Sequence, residues 1–74
     1  MKSIHIQTDY ITLGQFLKLA DCVSTGGHVK VMLAEQAVRV NAEPEDRRGR
    51  KLRNGDTVEV KDCGTFRVVQ TIEA

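Results

Sequence analysis

The side chains that could carry covalent chemistry are few and scattered. A nucleophilic site needs a serine or cysteine next to a base, with a third group that orients the base. The candidates, which no local motif joins, are His5, His28, Cys22, Cys63 and Ser24. The sequence therefore predicts no catalytic centre and no enzyme.

Carboxylates and glycines give the same answer. Glu43, Glu45 and Asp46 flank Pro44, and we expect them in an exposed turn as a solvated charge run in which nothing shifts a pKa. Gly26-Gly27 lacks the surrounding residues that define nucleotide-binding fingerprints. The sequence thus predicts no cofactor and no small-molecule substrate.

The two cysteines stand far apart, without the Cys-x-x-Cys spacing of zinc sites, and neither histidine is placed to complete one. We therefore predict no metal. We expect Cys22 and Cys63 to be reduced thiols in or near the core. A disulfide between them is the alternative, for which the sequence offers no support.

Binding chemistry is concentrated in one segment. The stretch 47–53 holds four arginines, one lysine and no acid, although the net charge of the chain is only +1. Each cation that neutralises a phosphate releases condensed counterions, and arginine offers a fork that matches phosphate oxygens. A solubilising loop is the plain alternative. Phe16 and Phe66 look like core residues, which argues against a base-stacking platform and favours structured RNA read by shape and backbone.

Two helices must position these cations. Thr12 with Gln15 forms a capping box for the first helix. Its apolar face consists of residues that recur at helical spacing: Leu13, Phe16, Leu17 and Ala20. Ser24 or Thr25 caps a second helix from Gly26 to about Glu35. The paired glycines suit either a phosphate at bare backbone amides or close packing of the two helices.

Strands account for most of the remaining chain. Alternation indicates strands around Ile4, at 38–40, at 57–60 and at 66–69, with turns at 41–44, 54–56 and 62–64. Residues 70–74 extend the last strand or fray. The order β-α-α-β-loop-β-β predicts an α+β fold in which two helices pack on a small, mostly antiparallel sheet of three to four strands.

Length and hydropathy limit the organisation. The 74 residues form one domain, 1–74, and we expect a monomer because nothing demands a dimer. The apolar runs are far shorter than the ~20 residues that cross a bilayer, and the first residues have no signal-peptide core. The sequence therefore predicts a cytoplasmic protein without a membrane partner.

Several segments resemble a known family. Thr12–Leu17, the region around Lys30, Val38–Ala42 and Asn54–Val58 are similar to the S4 RNA-binding domain, with its two helices, small sheet and Val-x-Val-Asn-Gly turn (the αL motif). Leu13–Leu19, Ser24–Gly27 and Asn41–Leu52 most resemble the stand-alone bacterial branch called YaaA/YbcJ. The match covers about 11–60.

The resemblance implies a non-catalytic module that binds structured RNA, acts in ribosome association or assembly, and uses an RNA face along both helices. Two familiar features are missing: the Arg-Leu-Asp of the first helix is Thr12-Leu13-Gly14 here, and the arginine that follows the helix-start serine is Gly26. The residues expected to contact RNA are Lys18, Thr25, Gly26, Gly27, Lys30, Arg39, Asn41, Arg47, Arg48, Arg50, Lys51 and Arg53.

Two other functions stay open. A protein–protein adaptor would use the basic loop to bind an acidic partner. A ubiquitin-like sulfur carrier has similar strands, but such carriers need a C-terminal Gly-Gly where this chain has Thr71–Ala74.

Overall fold

A computed structural model describes residues 1–71. Its elements follow in chain order: β1 (Lys2–Ile6), β2 (Ile11–Thr12), α1 (Leu13–Leu19), α2 (Gly26–Ala34), β3 (Val38–Val40), β4 (Glu43–Pro44), β5 (Lys51–Leu52), β6 (Thr57–Val60) and β7 (Gly64–Gln70). The predicted α+β class and both helices are confirmed. Gln70 ends the last strand, and the rest of the predicted extension, 72–74, lies outside the described residues.

The sheet is larger than the three to four strands predicted. Five strands pair in the order β1-β7-β6-β3-β4, and β2 pairs with β5 in a separate antiparallel ribbon. All pairs are antiparallel except β1 with β7. The parallel pair joins the two ends of the described chain, so no local turn pattern in the sequence could predict it.

Strand β4 lies in a segment for which the sequence predicts only a turn. Asn41 and Ala42 both have positive φ, 52° and 69°, as in the two-residue turns that join antiparallel strands. This turn leads the chain back along β3, where Glu43 lies opposite Val40 and Pro44 opposite Arg39. Proline is tolerated there because β4 is an edge strand.

Both helices begin where the caps predict. The Thr12 hydroxyl accepts from the Gln15 amide, and the Thr25 hydroxyl accepts from the His28 amide at 3.2 Å. The buried faces of the helices and the inward residues of the sheet form one core, in which the most completely buried side chains are Leu13, Phe16, Leu17, Val29, Val38, Val40, Leu52, Val58 and Val68. The helices therefore cover one side of the sheet, and the other side faces solvent.

The expectation of reduced thiols is wrong in this structure. Cys22, in the connector between the helices, and Cys63, in the turn between β6 and β7, form a disulfide across 41 residues of sequence. Both lie half-buried against the core, as expected. The pairing depends on the turn that brings β7 back beside β6, which separation in sequence does not reveal. The disulfide therefore ties the segment in front of α2 to the sheet.

Candidate functional site

The basic segment 47–53 does not act as one free loop. The structure divides its cations into three groups with different neighbours. Arg47 and Arg50 bind an acidic side chain, Arg48 lies beside the helices, and Lys51 and Arg53 lie over an aromatic ring. These groups have different capacities for binding an anion.

Glu45 organises the first group, and the expectation that it is a solvated acid is wrong. Its side chain is only 8% exposed, and it accepts from Arg47 Nε at 2.7 Å and from Arg50 Nη1 at 3.3 Å. The hydrogen bond from Arg47 holds the pKa of Glu45 below its usual value, against the opposing effect of desolvation, and the charges of both arginines act in the same direction as that bond. Glu45 in turn raises the pKa of Arg47. Two of the predicted RNA contacts thus shape the loop.

The loop backbone closes the start of α1. The amide of Leu13 donates to the carbonyl of Arg50, and the amide of Gly14 donates to the carbonyl of Arg48, each at 2.9 Å. The first amides of a helix have no partner inside the helix, so these carbonyls satisfy them. A Cβ on Gly14 would lie 3.5 Å from the Arg48 carbonyl, an ordinary contact. The start of α1 is therefore occupied by the protein itself.

The start of α2 is open. Thr25 caps the amide of His28, but in the part of the chain that the structure describes the amides of Gly26 and Gly27 have no acceptor. A Cβ added to Gly26 would meet nothing within 4 Å. Close packing of the helices therefore does not account for the glycine pair. Bare amides at a helix start suit an anion.

Two cations lie beside this open end, and a third lines the neighbouring groove. Arg48 and Lys18 line a groove between the helices together with Gly26, and Arg48 also lines a neighbouring groove with Lys30. Within residues 1–71, ion pairs form only at Glu45, so these three cations are unneutralised by direct contact. Asp46 lines the second groove and lowers the local positive potential. We call Lys18, Gly26, Lys30 and Arg48 the cationic face.

The third group of cations lies over Tyr10. Lys51 Nζ is 4.9 Å and Arg53 Cζ is 5.8 Å from the ring centroid. Cations at these distances are attracted to the negative face of an aromatic ring. Sequence reasoning did not single out Tyr10, because its ring meets the cations only after β5 has paired with β2.

Two expected contacts lie away from the cationic face. Arg39 is exposed between the buried Val38 and Val40, so it occupies the solvent side of the sheet, opposite Glu59 in the neighbouring strand. Asn41 is engaged in the fold, since its side chain donates to Asp56 and accepts from the Thr57 amide at 3.0 Å. Arg39, one of the expected RNA contacts, therefore lies apart from the cationic face.

The described residues meet the requirements of neither a metal site nor a membrane-spanning helix. Between residues 1 and 71, no three histidine, cysteine, aspartate or glutamate side chains group as metal ligands. Over the same range, no helix is long and apolar enough to cross a membrane. The conspicuous chemical feature is the uneven distribution of cations.

The fold has two helices on a small sheet and a turn after β3, and comparison with known sequences identifies the family that shares it. The sequence model of the S4 domain family matches residues 4–69, so the chain belongs to the S4 domain family. The chain is also 58% identical over 66 residues to the "Probable ribosome maturation protein RlbA" of Bacillus subtilis (strain 168). That alignment covers 89% of this chain and 93% of the relative, which thus has little beyond this domain.

Proposed function

We propose that the protein is a non-catalytic, cytoplasmic RNA-binding module that binds structured ribosomal RNA as a single chain and acts in ribosome maturation. Membership of the S4 domain family and the name of the Bacillus subtilis relative support this proposal. The observation that carries it is that Lys18 and Arg48 line the groove at the open start of α2, while Arg48 also lines the adjoining groove with Lys30.

The arrangement suits a phosphate backbone. Three long cationic side chains border two adjoining grooves, and the free amides of Gly26 and Gly27 add directed donors at the helix end. Counterion release from such contacts gives an affinity that falls steeply with salt. Because the two phenylalanines are buried in the core, the cationic face itself would read backbone and shape and would not stack bases.

The four other cations of segment 47–53 have a secondary role. Arg47 and Arg50 are partly neutralised by Glu45 and fix the course of the loop. Lys51 and Arg53 extend positive potential along β5 toward Tyr10. We therefore rank Arg48 and Lys30 above them as RNA contacts.

Salt-dependent binding to a ribosomal RNA fragment tests the proposal. We expect the double variant Lys30→Ala, Arg48→Ala to reduce the slope of log affinity against log salt by about 1.5 to 2, because two phosphate contacts are lost. Arg39→Ala is the matched control, since it removes one charge from the solvent side of the sheet.

The control should leave the slope nearly unchanged. Wild-type binding that does not depend on salt, or equal effects of Arg39→Ala and Arg48→Ala, would contradict the assigned face. Recovery of protein but no RNA after cross-linking in cells would favour the adaptor function instead.

A further inference from the structure

Tyr10 is an exposed aromatic residue in a chain with few aromatics. Its side chain is 40% exposed, whereas Phe16 and Phe66 are at most 2% exposed. The Thr8 hydroxyl donates to the Tyr10 carbonyl at 2.7 Å and fixes the backbone just before β2. The ring is therefore held at the surface although it contributes little to the core.

Apolar surface continues from the ring onto α1. An open groove of about 520 Å³ is lined by Thr8, Tyr10, Ile11, Gln15 and Leu19. Leu19 is 57% exposed even though helix α1 has a well-formed buried face. Exposed apolar side chains grouped in this way mark a binding surface more often than isolated ones do.

The cations beside this groove indicate which ligand suits it. Lys51 and Arg53 both approach the Tyr10 ring, at 4.9 and 5.8 Å. In the part of the chain that the structure describes, neither cation forms an ion pair. A nucleotide suits this surface because its phosphates can draw both cations off the ring, which leaves the ring for its base to stack on.

The groove adjoins the cationic face. Gln15 lines both this groove and the groove that holds Lys18, Gly26 and Arg48. An RNA strand that leaves a duplex seated on the cationic face can therefore reach Tyr10 along the start of α1.

We propose that Tyr10, with Leu19, Lys51 and Arg53, forms a second subsite that binds one unpaired nucleotide next to the structured RNA. The phosphates that flank the base draw the two cations off the ring, and the base stacks on the ring in their place. This inference rests on the proposed function, because the duplex on the cationic face brings the strand to the groove. It assigns the RNA partner a feature that the cationic face does not specify: a paired stem with an unpaired neighbour.

Two RNA hairpins that differ only in bases test the inference. Each has the same paired stem and a two-nucleotide 3′ extension, but in one of them the extension carries no bases and keeps its phosphates. The protein has one tyrosine and no tryptophan, so its intrinsic emission reports on Tyr10 alone. Affinity is measured by anisotropy of labelled RNA at ~0.1 M salt.

We expect the hairpin with bases to bind about 10-fold more tightly than the abasic one and to quench the Tyr10 emission more strongly. Tyr10→Ala should remove the preference for bases, and Tyr10→Phe should retain it, because stacking requires the ring and not the hydroxyl. Lys30→Ala should weaken the binding of both hairpins by the same factor.

The outcomes separate the two proposals. Equal affinity for both hairpins with equal quenching would overturn this subsite and leave the cationic face intact, and the groove would then suit a protein partner better. A preference for bases that survives in Tyr10→Ala would also overturn it. Binding of neither hairpin would overturn the proposed function and this inference together. The wild-type comparison needs no variant to fold.

Discussion

The starts of the two helices have a similar sequence pattern but different surroundings in the fold. Each follows a threonine cap and has glycine within its first two residues. At α1 the carbonyls of Arg48 and Arg50 occupy the first amides, whereas at α2 the amides of Gly26 and Gly27 remain open. A helix start becomes a binding site only where the rest of the chain leaves it uncovered.

The segment 47–53 covers the start of α1 and also contributes a cation beside the open start of α2. The carbonyls of this segment accept from the first amides of α1, and Arg48 within it lines the groove with Gly26 and the neighbouring groove with Lys30. Closing one helix start thus supplies a cation to the other.

Breaking the disulfide should have the largest effect. Cys22 lies three residues before the Thr25 cap, and its bond to Cys63 ties the connector in front of α2 to the sheet. Closing a loop of 41 residues restricts the unfolded chain by an amount that corresponds to about 4 kcal/mol, and measured effects are about 2–4 kcal/mol. We expect reductant to lower the free energy of unfolding by about 2–4 kcal/mol in urea titrations.

The double variant Cys22→Ala, Cys63→Ala is the control for this experiment. It should match the reduced wild type and show no response to reductant. A urea midpoint that is the same with and without reductant in the wild type would contradict the role assigned to the bond.

Removing Glu45 should open the start of α1. Glu45→Ala leaves Arg47 and Arg50 without their acceptor, and we expect the free energy of unfolding to fall by about 1–3 kcal/mol. The fall should lie toward the lower end of this range because Arg47 is largely exposed and solvent screens its charge. Hydrogen exchange should accelerate at the amides of Leu13 and Gly14. Glu43→Ala removes an exposed acid from the same segment and should change stability by less than about 0.5 kcal/mol.

The contribution of Glu45 should also depend on pH. Since its pKa is lowered in the folded state, the ionised carboxylate stabilises the fold above the unfolded-state pKa of about 4.3, and this stabilisation is lost as pH falls through the folded pKa. The stability difference between wild type and Glu45→Gln should therefore stay constant above about pH 5 and shrink below it. A difference that is independent of pH down to pH 3 would contradict the ion-pair geometry.

Glu45 also shows why the sequence predicts some features and not others. Helix caps, buried faces and alternating strands are local patterns, so Thr12 and Val38–Val40 were predicted correctly, and Thr25 is one of the two caps predicted for α2. The environment of Glu45, the pairing of Cys22 with Cys63 and the parallel contact of β1 with β7 depend on segments far apart in sequence. The same holds for the site: the cations were identifiable by type, but their division into three groups required the fold.

A proline at position 26 would remove one of the two open amides of α2 and would keep the helix. Gly26 is the first helical residue, and Thr25 before it has an extended backbone, with φ −139° and ψ 160°. Proline is favoured at this position and after such a residue. We expect Gly26→Pro to retain stability but to weaken RNA binding about 3- to 10-fold, because one donor to phosphate is lost.

Gly26→Ala keeps the amide and is the matched control. Its added Cβ meets nothing within 4 Å, so binding should change less than twofold. Equal RNA affinity of the proline and alanine variants would show that the amide of Gly26 does not contact RNA.

The smallest effect is expected at Asp46, which lines the groove shared by Lys30 and Arg48. A carboxylate about 6 Å from a bound phosphate repels it by about 0.7 kcal/mol at the dielectric constant of water, and salt screening at ~0.1 M roughly halves this value. Asp46→Asn should therefore tighten RNA binding about twofold. The gain should be largest at low salt, and Glu59→Gln, on the solvent side of the sheet beside Arg39, should give no gain. Unchanged affinity of Asp46→Asn at low salt would indicate that the phosphates bind nearer to Lys18 and Gly26 than to Lys30.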